Sequence, residues 1–108
     1  MKRQLISTEA MHKFMVTINL PQFPNEEYML LIPKQRAVIV ELLAAGRISS
    51  FSLDRNRQKA WMVASCKDHD ALQNMLRKFP MHKFFEYEIS ELILHDTEFM
   101  GLPKMVLN

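Results

Sequence analysis

Two carboxylates, Glu86 and Glu88, stand two positions apart in the run Phe84-Phe85-Glu86-Tyr87-Glu88-Ile89. The run alternates, which reads as a strand with Phe85, Tyr87 and Ile89 on one face and Phe84, Glu86 and Glu88 on the other. Carboxylates at that spacing lie about 7 Å apart. Shut away from water, they would repel each other and favour one protonated member. Such a pair suits moving a proton beside a carbonyl. The same two residues also read as solvated acids that pair with Lys or Arg next door. His82 stands at the mouth of this strand, where an imidazole could shuttle protons or serve only as a loop residue. Lys34, Arg36 and Lys83 could hold a substrate carboxylate or simply face water. Asn19 ends an earlier apolar run, where its amide could orient a lactone or carboxylate, or only form a turn.

Other chemistries lack their residues. Cys66-x-x-His69 has metal-like spacing but no second pair, and His12, His82 and His95 show no zinc spacing, so no metal is expected. Gly46 and Gly101 are the two glycines, too few for a phosphate-cradling loop. No Gly-x-Ser-x-Gly elbow supports a hydrolase triad. Any reaction is therefore expected to run without a cofactor.

The elements that must position these groups follow from periodicity. Residues 13–20 alternate as a half-buried strand, with Phe14, Val16, Ile18 and Leu20 on one side. Pro21 and Pro24 make the connection, and Asn25 can cap a helix. Residues 26–45 are helical in composition, but Pro33 predicts a break, with the regular helix starting near it. Gly46 is the stop. Residues 47–54 read as a weaker strand, Asp54-Arg55-Asn56-Arg57 as a hairpin turn, and residues 59–66 as a mostly apolar central strand carrying Trp61. Asp68 caps a second helix whose stripe is Leu72, Met75, Leu76 and Phe79; Pro80 ends it.

The order is β-α-β-β-α-β, so right-handed crossovers predict an antiparallel sheet with both helices on one face. The other face has no cover within the chain. With Met15, Phe84 and Trp61 on it, a second subunit is its expected cover. Trp61 and Phe84 thereby join Asn19, Lys34 and Arg36 as candidate substrate contacts.

Three segments resemble the muconolactone isomerase family, small ferredoxin-like proteins of the dimeric α+β barrel group. Phe14-Met15-Val16-Thr17-Ile18-Asn19-Leu20-Pro21 looks like its first strand running into Leu-Pro. Glu41-Leu42-Leu43-Ala44-Ala45-Gly46 is similar to the end of its first helix. Phe79-Pro80-Met81, followed by the acidic and aromatic strand, is similar to the end of its second helix and its last strand. The resemblance covers about residues 12–95. It implies a ferredoxin-like α+β fold, a homodimer or larger ring, and a cofactor-free proton shift in an unsaturated lactone of aromatic-compound degradation. Glu86, Glu88 and His82 would then be the catalytic candidates. Another branch of the same fold degrades haem or oxidises aromatic substrates without a cofactor; its Asn, Trp and His have a loose parallel in Asn19, Trp61 and His69. A non-catalytic dimer that binds a small apolar ligand is the third expectation.

Bulk properties set the bounds. A chain of 108 residues with 48% apolar composition is one domain, expected as a single unit with an arm over 1–11 and an apolar tail over 96–108. So short a chain leaves apolar surface for association. Fourteen basic and twelve acidic residues leave a net charge of +2, which gives no argument for nucleic acid or an anionic membrane. Cys66 is the lone cysteine, which fits a reducing cytoplasm. Met1-Lys2-Arg3 lacks a following apolar region for a signal peptide, and no stretch reaches the roughly 20 apolar residues of a membrane helix.

Overall fold

A computed structural model describes residues 11–95; the expected arm and tail otherwise lie outside the described residues. The elements are β1 (His12–Asn19), α1 (Glu26–Ala44), β2 (Ile48–Leu53), β3 (Lys59–Cys66), α2 (His69–Arg77), a 3₁₀ turn (His82–Phe84) and β4 (Glu86–Leu92). The four strands form one antiparallel sheet in the order β2-β3-β1-β4. This is the ferredoxin-like α+β arrangement, with β1 and β3 central.

Local chemistry sets the boundaries. Asn25 Oδ1 accepts the Tyr28 N–H at 2.8 Å and starts α1, and Asp68 Oδ1 does the same for Ala71 at the start of α2. Gly46 takes φ +74° just past α1, and the Arg47 N–H reaches back to the Leu42 carbonyl. In the β2–β3 hairpin, Asp54 Oδ1 accepts the N–H groups of Gln58 and Lys59. Arg57 there adopts φ 59°, a left-handed conformation rare for a residue with a side chain.

The core lies on one face of the sheet. Phe14, Val16 and Ile18 of β1 and Ala60, Met62, Ala64 and Cys66 of β3 are buried with Ile39 of α1 and Leu72, Met75 and Leu76 of α2. Burying one such leucine is worth about 1.5–3 kcal/mol, so the short α2 is held by its stripe more than by its own propensity. The opposite face carries Met15, Thr17, Asn19, Trp61 and Val63 of the central strands.

Two expectations need correction. Pro33 does not break the first helix: α1 runs unbroken through it from Glu26 to Ala44. The proline is exposed, and so is Met29 four residues earlier, whose carbonyl loses its helical donor on the solvent side. Phe84 does not share a face with Glu86 and Glu88. It ends the 3₁₀ turn and sets its ring edge-on against Tyr28 of α1, 5.4 Å between centroids, which puts it on the helical side. The proline stop leads into that turn, so β4 starts two residues later than alternation suggested.

Candidate functional site

A cavity of about 330 Å³, large enough for a small ligand, lies between α1 and the sheet. Its walls are apolar: Ile18 of β1 and Leu20 just past it, Ile32 and Ile39 of α1, Phe51 of β2 and Phe85. Gln22, Tyr28, Gln35, Arg36, Asn56, Arg57 and Gln58 supply its polar groups. Volume, apolar walls and few convergent polar groups are the features of a small-molecule site.

Each polar group is placed by its element. The N-cap that starts α1 aims Tyr28 inward, and Phe84 backs its ring. Lys83, paired with Glu27 at 2.6 Å, closes over Phe84 from outside. Burial raises the Tyr28 phenol above its ordinary value, and the Arg57 charge pulls the other way. The hairpin turn carries Arg57 to the cavity, and the Gln58 carbonyl accepts the Leu20 N–H at 2.9 Å, tying the turn to the end of β1. Gln35 is 7% exposed, the one buried polar side chain among the described residues. Its Oε1 accepts the Met81 N–H at 3.2 Å.

The residues singled out by sequence fall on two sides of the sheet. Glu86, Glu88, Asn19 and Trp61 share the uncovered face. Across it, Ser52, Trp61, Thr17 and Glu88 make one lateral row, and Asn19 Nδ2 lies 3.4 Å from Glu88 Oε2. Both glutamates are exposed. Arg36 lines the cavity on the helical side, whereas Lys34 is exposed on the outer side of α1. His82 also belongs to the helical side: its Nδ1 lies 3.1 Å from the Tyr87 hydroxyl, and the two rings stack. Burial pushes the Tyr87 phenol well above its ordinary range. His82 therefore does not meet Glu86 or Glu88, and a ligand in the cavity meets Arg36 but none of those three.

The oxygenase parallel also divides. His69 begins α2 and sets its ring against core residue Phe14 at 6.1 Å, while Asn19 and Trp61 look out from the opposite face. Cys66 is a buried thiol at the end of β3, raised by that burial. Among the described residues no three His, Cys, Asp or Glu converge on a metal-sized site, and no helix is long and apolar enough to cross a membrane.

Sequence reasoning missed Tyr28, Gln35 and Arg57. A signal existed for Gln35. Tyr28, Ile32, Gln35, Ile39 and Leu42 form the inner stripe of α1 at helical spacing, and an amide inside an apolar stripe marks a polar group with a task. Arg57 gave no such sign, because it reads as an ordinary turn cation.

Residues 11–98 match the family model described as muconolactone delta-isomerase, which spans most of the chain. No curated protein matches the chain.

Proposed function

The chain belongs to the muconolactone delta-isomerase family, and on that premise we propose that it shifts a proton within a small unsaturated lactone that bears a carboxylate, as muconolactone does. The observation that carries the proposal is the helix–sheet cavity, apolar in its walls and furnished with Tyr28, Gln35, Arg36 and Arg57. The apolar walls suit a five-membered ring. Arg36 and Arg57 suit the carboxylate, since guanidinium groups bind carboxylates in a fixed fork.

The proton carrier in this reading is Tyr28. Of the side chains that line the cavity, its phenol can take and return a proton, whereas the guanidinium groups stay charged. As phenolate, Tyr28 takes the proton from a ring carbon. The electron pair of that C–H bond moves through the conjugated system onto the carbonyl oxygen. The phenol then returns the proton at the far end of the same system, so atoms and charge balance without a cofactor. The Arg57 charge beside Tyr28 favours the phenolate against the desolvation that opposes it.

A second reading uses the other side of the sheet. There Glu88 would be the base, with Glu86 beside it and Asn19 and Trp61 around the substrate, under the sheet of a second copy. The contact between Asn19 and Glu88 favours it. Both readings keep the homodimer and the cytoplasmic location expected from sequence.

Turnover of muconolactone by three variants separates the two readings. Tyr28→Phe should lower kcat at least a hundredfold and keep the melting temperature within a few degrees, while Glu86→Gln and Glu88→Gln stay within about threefold of wild type. The reverse pattern would move the reaction to the open face. No turnover by wild type would reduce the family reading to ligand binding.

A further inference from the structure

Within the cavity reading, we propose that Gln35 selects the ligand by presenting an amide donor that demands an oxygen acceptor, a carbonyl or a carboxylate. The orientation of this amide is fixed by its partner. The Met81 backbone N–H can only donate, so the Gln35 atom 3.2 Å from it is the oxygen. The Nε2 amino group therefore stands at the other position; it makes no hydrogen bond to another described residue and is not sealed from solvent. Gln35 is 7% exposed and lines the cavity, so that amino group meets the contents of the cavity and little else.

Arg36 and Arg57 are donors too, and with Gln35 they add N–H groups to a lining whose other amides, Gln22, Asn56 and Gln58, can donate or accept. An arginine at the mouth accepts any anion that reaches it, hydrated or not. Gln35 acts deeper, beside Ile39 and Met81, where a donor left without an acceptor costs more than it would in water. A ring that presents an oxygen there is retained. A ring of the same shape that presents carbon or an N–H group is rejected about tenfold or more. In the lactone reading, the donor lies against the carbonyl oxygen on which negative charge develops.

The test follows the Gln35 side-chain amide by ¹⁵N–¹H NMR during titration with muconolactone, benzoate and toluene. Muconolactone and benzoate should move its two proton signals, and toluene should leave them in place. Gln35→Glu keeps an oxygen for Met81 and replaces the donor by an acceptor; it should weaken benzoate binding at least tenfold without lowering the melting temperature by more than a few degrees. A Gln35 amide that moves with benzoate while muconolactone is never turned over upholds this proposal and removes the isomerase reading. Turnover of muconolactone with an unmoved Gln35 amide, and with Gln35→Glu as active as wild type, overturns this proposal and leaves the isomerase reading standing. An amide indifferent to every oxygen-bearing probe overturns it as well.

Discussion

Three side chains define the helix–sheet cavity at the residue scale, and each is held differently. Tyr28 is held by packing, Gln35 by one hydrogen bond, and Arg57 by backbone geometry. The left-handed φ of Arg57 costs roughly 1–2 kcal/mol for a residue with a Cβ. Such strain persists where the surroundings over-determine it and tends to gather at functional sites. Here Asp54 supplies the constraint through three contacts with the turn: its carbonyl accepts the Arg57 N–H, and its carboxylate accepts those of Gln58 and Lys59. Arg57→Gly relieves the strain and removes the guanidinium. Denaturant unfolding should show a gain of roughly 0.5–1 kcal/mol, glycine's own entropy offsetting part of the relief. The KM for a carboxylate-bearing lactone should rise severalfold in the same variant. Lower stability, or an unchanged KM, would show that the arginine is there for the turn alone.

At the scale of elements, alternation and capping were legible in the sequence to within a residue or two. Asn25, Gly46 and Asp68 mark the helix ends where the structure has them, because each signal is a local backbone bond. In the last strand the alternation of the sequence runs on across a turn, so it overstates where the strand begins. Pro80 stops α2, Met81 to Phe84 coil into 3₁₀ geometry, and Phe84 is carried round to Tyr28. That one rotation separates His82 and Phe84 from the two glutamates they were grouped with. Pro33 shows the limit of a propensity rule: tertiary packing on Gln35 and Ile39 on the far side of α1 carries the helix past it. Pro33→Ala restores a donor for the Met29 carbonyl and removes an interior proline. Stability should rise by roughly 1–3 kcal/mol, with helical circular dichroism unchanged or slightly higher. A loss of stability would mean that the proline shapes α1 over the cavity.

For the whole molecule, the sheet has two unlike faces. One is closed by α1 and α2 over the core and the cavity; the other presents the half-buried Met15 and Trp61 among polar neighbours, with no helix over it among the described residues. A sheet half dressed in apolar side chains favours a partner sheet. Sedimentation equilibrium at micromolar concentration should accordingly find a dimer or larger, and a clean monomer of 12.7 kDa would contradict that reading. The two faces also give the reaction two possible homes, which differ in the group that takes the proton. The pH dependence of kcat/KM on muconolactone distinguishes them most directly. With Tyr28 as base, its phenol raised by burial, kcat/KM should climb about tenfold per pH unit between pH 6 and 9. A profile flat above about pH 6, as a side-chain carboxylate gives, would contradict the cavity account and move the chemistry to the open face.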